Sequence, residues 1–274
     1  MSRLRFAAVG DNCVDRFQPP VGQSLIGGNA INVAVQLALL GHEAYYFGAV
    51  GRDAEGERTR HLLISKGVRV DYLQMLPGET AYTNIDITET GDRIFAFEEF
   101  GVCAGYIPSE ADLTALIGMD HVHVGWIADG GLVRRRVAGA GTSVSQDISV
   151  NNDPVHLGVE GLRIAFGSAG EDRQKAEAML QGYLANGAKL AVVTRGAEGS
   201  AACNGREYAE TGITPVDVID TTGAGDSFIA GFLHAHLSGD NLETSLASGR
   251  QCAARACGHF GGFPQVPQKL RGMV

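Results

Sequence analysis

Val218–Phe232 reads VIDTTGAGDSFIAGF: a strand-like apolar start, a polar turn with two glycines, then an apolar helical run. The spacing places Gly223, Ala224, Gly225 and Asp226 in the first turn of a helix whose buried stripe is Phe228, Ile229, Phe232, Leu233 and Leu237. The first N–H groups of a helix lack internal partners and the macrodipole adds positive potential there, so small residues at that end let an anion come close. Asp226 would compete with such an anion unless it has a task of its own. If the anion is a phosphoryl group in transfer, that task is to accept the proton of the attacking hydroxyl. The residues alone leave a second reading open, in which Asp226 favours the positive helix end and the glycines only make a turn.

Outward from this turn, apolar runs alternate with helix-period runs. RFAAV (5–9), YYFGAV (45–50), DHVHVGWI (120–127), TSVSQDI (142–148), LRIAF (162–166) and KLAVVT (189–194) read as strands. Asn29–Leu40 reads as a helix, as does DAEGERTRHLLISKG (53–67), with Asp53 as cap and Gly67 as stop. EDRQKAEAMLQGYLANG (171–187) is the clearest helical pattern. This βαβ rhythm predicts an α/β fold with a mostly parallel sheet covered by helices on both faces, carried by one domain over residues 1–274. Thr80–Phe100 breaks the rhythm: TAYTNIDIT and RIFAFEEF flank ETGD, a β-hairpin signature in which Gly91 is free to take positive φ. Period-two geometry sorts Phe95 and Phe97 onto one face of that hairpin, and Ile94 and Ala96 onto the other. An isolated hairpin this apolar needs covering, by a bound ligand on one face and a partner's hairpin on the other, which predicts a lid and a homodimer.

Composition narrows the function classes. A net charge of −9 would repel a phosphate backbone and argues against a nucleic-acid partner. The chain starts directly with an apolar strand, and its most apolar stretch, NAINVAVQLALLG, is interrupted by Asn32 and Gln36, which argues against a signal peptide or a membrane span. Five cysteines, an odd number without C-x-x-C spacing, fit the reducing cytoplasm. Glycine, at 38 of 274 residues, points to many tight turns.

Common nucleotide motifs fail in turn. GAGDSF puts Phe228 where a dinucleotide fingerprint needs its third glycine, GDNCVD puts Asp11 and Asp15 where a pyrophosphate needs bare amides, and no Walker-type loop is present. Asp11 and Asn12 suit a hydroxyl-rich neutral ligand instead, and IGGNAINVAVQLALLG adds Gly28 and Asn29 at a helix start.

AVGDNCVD, GGNAINVAVQLALLG, GAVGRDAEG, VVTRGAEGS and DTTGAGDSFIAGF, in this order over almost the whole chain, resemble the PfkB (ribokinase-like) carbohydrate kinase family. The resemblance implies a ribokinase-like three-layer sandwich with a lid over about 80–100 and residues near 12–18, and a kinase that uses Mg·ATP. It implies Asp226 as the base, Gly223, Ala224 and Gly225 as the backbone anion hole, and Asp11, Asn12, Gly28 and Asn29 around the sugar. It puts Thr194, Gly196 and Gly199 at the nucleotide phosphates and Cys257 and Gly258 at the adenine. Around Asp220 many members hold a monovalent cation; a structural cap is the competing reading. The family's Asn-x-x-Glu magnesium motif becomes Ser168 and Glu171 here, which leaves Glu171 as the metal residue, acting through water. GDNCVD, GGNAINVAV, GDRIF and CAARA are most similar to fructoselysine 6-kinases, which implies the C6 hydroxyl of a fructosamine as acceptor. Ribose, fructose, 2-keto-3-deoxygluconate or a nucleoside are the alternative acceptors, and a non-catalytic sensor on the same fold is the alternative class, against which Asp226 speaks. A helix N-terminus stabilises a carboxylate, so the residues predict a weak base whose position matters more than its basicity.

Four further groups receive structural readings. His121 and His123 share a strand face without a third ligand nearby and read as core histidines; Cys252 and Cys257 read as helix packing; Arg134, Arg135 and Arg136 read as a solvated helix face; and Arg93, Glu98 and Glu99 read as solvated lid charges, the alternative being that they meet the amine and carboxylate of a fructosamine.

Overall fold

The protein, described by a computed structural model over residues 3–87, 93–151 and 153–270, is built on two sheets. The large one has nine strands: β1 (Arg5–Val9), β4 (Glu43–Gly51), β5 (Arg69–Leu76), β8 (His121–Val124), β9 (Ser143–Asp147), β10 (Ile164–Ser168), β11 (Leu190–Thr194), β12 (Ser200–Cys203) and β13 (Tyr208–Thr211). Their spatial order is β13-β12-β11-β10-β9-β8-β1-β4-β5, parallel from β11 to β5, with β12 and β13 added antiparallel at one edge.

Strand parity divides the core. Phe6, Ile164, Phe166 and Val192 face α1 (Asn29–Leu39), α6 (Ala224–Leu237) and α7 (Leu242–Cys257), and Ala8 and Tyr46 on that side also meet Leu63 of α2 (Ala54–Ser65). Ala7, Val9, Val122, Val144 and Ala165 face Leu113 and Leu116 of α3 (Glu110–Ile117) and Val133 and Val137 of α4 (Leu132–Gly139), while Ala191 and Val193 meet α5 (Arg173–Ala185). Helices therefore cover both faces, the three-layer arrangement the alternation predicts. Local capping also follows the residues: the Asp53 carboxylate accepts from Gly56 N at 2.7 Å, and Asp172 accepts from Lys175 N at 2.9 Å. Val218 and Ile219, which read as strand-like, lie in irregular backbone and are 62% and 52% exposed.

The second sheet is larger than a hairpin. β6 (Tyr82–Ile87) and β7 (Arg93–Glu99) pair as expected, but β2 (Cys13–Phe17), β3 (Gln23–Gly27) and β14 (Gln268–Lys269) extend them to the order β14-β3-β2-β6-β7. The ETGD turn with Gly91 lies outside the described residues. A register shift between Asn84 and Ile85 pairs Asn84 with Phe97 and Ile85 with Phe95, while Asp86 pairs with Ile94. The bulge overturns the simple alternation: Ile94 and Phe97 share the face of Asn84 and Asp86, because one extra residue in β7 inverts the parity beyond it.

Arg134 corrects another expectation. It is 6% exposed, and its guanidinium donates to Glu160 O and Leu157 O, both at 3.3 Å, where glycine at 131 and 158 leaves room; Arg135 and Arg136 are on the surface. His121 and His123 are core residues bonded to Ser143 and Ser145. Among the described residues, no helix is long and apolar enough to cross a membrane.

Candidate active site

The candidate residues gather at the C-terminal ends of parallel strands, where open α/β sheets leave a crevice. Asp147 ends β9, Ser168 ends β10, Thr194 ends β11 and Asp11 follows β1. Asp147, Ser168, Thr194, Gly225 and Asp226 line one cleft of about 230 Å³. Gly223, with φ of 71°, is the N-cap of α6 and delivers Asp226 into that cleft in the first helical turn. Two amides of α1 hold the carboxylate: Asn29 Nδ2 donates to Asp226 Oδ1 at 2.6 Å and Asn32 Nδ2 to Oδ2 at 2.7 Å. Asn29 and Asn32 are three apart on the helix and share its face. Asn29 Nδ2 also donates to Asp147 Oδ2 at 3.2 Å. Asn32 and Asp147 were not singled out from the sequence; the spacing Asn-x-x-Asn at the start of α1 was the available signal for the first, and nothing local marks the second.

The electrostatics reverse the expectation of a weak base. Burial pushes the Asp226 carboxyl up to about 8, and the charges of Asp147 and Asp11 add to it, against the opposing bonds from Asn32 and Asn29. Asp226 keeps an opening to the cleft, yet the protein around it displaces most of the water that would solvate its charge. Loss of solvation and two like charges outweigh the helix end. Burial also raises Asp147, although Ser149 N and Oγ and Asn29 all donate to it. Asp11 is raised to about 6, again by burial, while accepting from Asn29 N at 2.9 Å and Ala30 N at 3.1 Å. Asp11 thus caps α1 from the turn after β1, because Gly28 at the N-cap has no side chain to do so.

A carboxylate held by two amides at a helix N-terminus, in a cleft shared with glycine and threonine, can take a proton from a bound hydroxyl while an anion sits beside it. The family model described as pfkB family carbohydrate kinase matches residues 18–104 and 153–269. The chain belongs to the pfkB family of carbohydrate kinases. Its reaction is phosphoryl transfer. Fructoselysine 6-kinase of Escherichia coli K12 is 34% identical over 259 residues, 94% of this kinase and 98% of the relative. Fructosamine kinase FrlD of Bacillus subtilis 168 is 34% identical over 270 residues, 95% and 93% of the two chains. The fold matches that of a ribokinase from Arabidopsis thaliana, solved with ribose and ATP, at a TM-score of 0.85 and 23% identity, over 95% and 94% of the chains.

On the far side of Thr194, Gly196 begins a short turn with φ of 54°, and Gly199 closes it with φ of 85°. A Cβ at Gly199 would stand 1.9 Å from Thr211 O, so this glycine is needed for backbone to pass backbone. Glu171 is exposed and lies against the Gly196 turn, and with Arg173, Arg195 and Glu210 it lines a second cavity of about 530 Å³. Cys257 and Gly258 end α7, where the Cys257 carbonyl accepts from Ile219 N at 2.8 Å. The Asp220 carboxylate accepts from Thr222 N and Gly261 N, both at 2.7 Å, and so ties the turn before α6 to the segment after α7.

Two expectations change. Asn12 is 2% exposed, and its Nδ2 donates inward to Ala49 O at 2.6 Å, Tyr46 Oη at 3.1 Å and Cys103 Sγ at 3.2 Å, so its amide supports the wall of the kinase's site and does not face a sugar. The backbone of Gly28 packs over it, where a Cβ would stand 2.6 Å from Asn12 Cα. Of the three anion-hole amides, Ala224 N donates to Thr221 O at 3.2 Å within its own turn. A Cβ at Gly225, by contrast, would meet nothing within 4 Å, which leaves that position open to a phosphoryl group.

Proposed function

We propose that this kinase transfers the γ-phosphoryl group of Mg·ATP to the C6 hydroxyl of a fructosamine, fructoselysine being the preferred acceptor. The observation that carries the reaction is the Asp226 carboxylate, bonded on both oxygens by α1 and open to the cleft of Gly225 and Thr194. The acceptor oxygen forms its bond to the γ-phosphorus as the bond from that phosphorus to the bridging oxygen breaks. The electron pair leaves on ADP and the hydroxyl proton passes to an Asp226 oxygen. Gly225 at the helix N-terminus lies where charge builds on the transferred group, with the sugar held near Asp11, Gly28 and Asn29, the phosphates near Thr194, Gly196 and Gly199, and the adenine near Cys257 and Gly258. Mg²⁺, when bound with ATP, would neutralise charge on the phosphate oxygens. Among the described residues there is no cluster of three acidic, histidine or cysteine ligands, and an open carboxylate such as Glu171, against the Gly196 turn, fits an ion held mainly by phosphate and water.

The acceptor assignment is supported by the two relatives at 34% identity, each named for a fructosamine substrate and matched over nearly its full length. The test is ATP consumption against fructoselysine, other fructosamines, ribose, fructose, 2-keto-3-deoxygluconate and nucleosides, with the phosphorylated carbon identified. Fructoselysine should have the highest kcat/KM and yield the C6 phosphate. Equal or better use of ribose would overturn this assignment and leave the transfer chemistry intact.

The five-stranded sheet is the lid of this site and the surface of a homodimer. Its bulge sets Ile94, 52% exposed, and Phe97, 49% exposed, on one face, an apolar pair that a second copy's lid would cover. Phe97→Asp should shift sedimentation from dimer to monomer and weaken sugar binding; a monomeric wild type would rule the shared lid out. A cytoplasmic location is the reading that five cysteines outside any disulfide support.

A further inference from the structure

Asp147 lies between the two stretches matched by the family model, yet its side chain sits beside the reacting groups. It is 6% exposed at the end of β9. Its carboxylate has three donors: Ser149 N at 2.9 Å and Ser149 Oγ at 2.6 Å on Oδ1, and Asn29 Nδ2 at 3.2 Å on Oδ2. A carboxylate with three donors is well satisfied in its charged form. The bond from Asn29 is the informative one. Asn29 Nδ2 has two hydrogens, one directed to Asp147 and the other, at 2.6 Å, to Asp226 Oδ1. The amide cannot turn its oxygen toward the pair without facing two acceptors, and Oδ1 instead packs at Gly125, where a Cβ would stand 2.4 Å away.

We propose that Asp147 is a positioning residue for phosphoryl transfer: through Asn29 it fixes the direction of the Asp226 carboxylate, and it keeps a second negative charge beside that group. This rests on reading Asp226 as the proton acceptor. A buried second carboxylate next to a reactive one is costly by itself, and here it offsets the effect of the α6 N-terminus, which would make Asp226 a poor acceptor. The other titratable groups around the pair are Asp11, which accepts from Asn29 N, and Tyr183 of α5, which feels Asp147. Tyr46, Cys13 and Cys103 face Asp11, and burial holds the protons of all these phenols and thiols well above neutral pH. Near neutrality, then, the site titrates through carboxylates, and the upper step belongs to the Asp147–Asp226 pair.

The experiment follows the side-chain carboxyl ¹³C resonance of Asp226, identified by its loss in Asp226→Asn, together with kcat/KM against pH on the best acceptor of the panel. In the wild type both should rise or titrate with a midpoint displaced upward toward about 8, the activity growing as Asp226 loses its proton. Asp147→Asn should lower that midpoint by about one unit or more and reduce kcat at least about tenfold, with KM for ATP little changed. Asp147→Glu, which restores the charge but not the distance, should return the midpoint toward the wild-type value while kcat stays low. Ser149→Ala, which removes one donor to Asp147, should leave the midpoint in place. A folded Asp147→Asn whose midpoint matches the wild type overturns the proposal; if that variant does not fold, a midpoint in Asp147→Glu lowered as though the charge were gone does the same. Retained turnover in Asp226→Asn would instead defeat the proton-acceptor reading on which the proposal stands.

Discussion

Replacement of Asp226 by asparagine should lower turnover by about 10²- to 10⁴-fold while the fold and nucleotide binding survive. The new amide has the old shape, and a half-turn of the Asn32 amide, whose Oδ1 has no partner among the described residues, gives the new Nδ2 an acceptor. What disappears is the proton acceptor. The same substitution should stabilise the protein in alkaline solution. The folded carboxyl titrates near 8 and the unfolded one near 3.8, so between those values the folded state holds a proton that the unfolded state has lost. Stability from this group is fully present below about 3.8 and is lost as pH rises through about 8, so Asp226→Asn should melt above the wild type at pH 9 and converge with it toward pH 4. Near-normal turnover in a folded variant, or a melting difference that widens toward acid, would contradict the assignment.

The second large effect is steric and separates two neighbouring glycines. Gly223→Ala must adopt φ near 71°, and its Cβ would stand 2.4 Å from Gly262 Cα, backbone against backbone. The left-handed conformation alone costs about 1–2 kcal/mol, and forcing the two segments apart adds a similar amount. Moving the start of α6 also moves Asp226, and a displacement of about 1 Å is enough to cost about 10²-fold in rate. Gly225→Ala should behave differently. Its Cβ meets no atom within 4 Å and alanine is the better helix former, so melting temperature should hold or rise, while the methyl group narrows the cleft and activity falls. Thermal melts with turnover distinguish the two: a stable, active Gly223→Ala would show that the turn can relax, and a fully active Gly225→Ala would show that no phosphoryl group passes there.

Most of the layered α/β frame was legible because its signals are local. Asp53 and Asp172 cap the helices they precede through their own backbone neighbours, and the apolar parity of Phe6 to Val9 follows from strand geometry alone. The same holds for Asp226, whose place in the first turn of α6 is set by the glycine three residues before it. Such features depend on residues within a turn or two of each other, so short-range sterics and hydrogen bonding determine them.

Where a side chain points across the fold is a different matter. Asn12 and Asp11 are adjacent and both polar, yet one turns inward to Tyr46 and Cys103 while the other reaches the start of α1, all of them partners distant in the chain. Arg134, Arg135 and Arg136 look alike in sequence, and only the approach of the segment at Leu157–Glu160 buries the first of them. The bulge in β7 inverts the parity of Phe97 through pairing with a strand whose register is set by the neighbouring β2. Asp147 lies 79 residues from Asp226 in the chain, and nothing in SQDIS shows that an amide from α1 will join the two. By itself the sequence determined most strands of the large sheet, its cover of helices on both faces and the helix turn that presents the acceptor carboxylate. Only the tertiary structure decided which amides hold that carboxylate, which charge stands beside it and hence how strongly it binds a proton, since burial and coulombic energy depend on distance in space and not on separation along the chain.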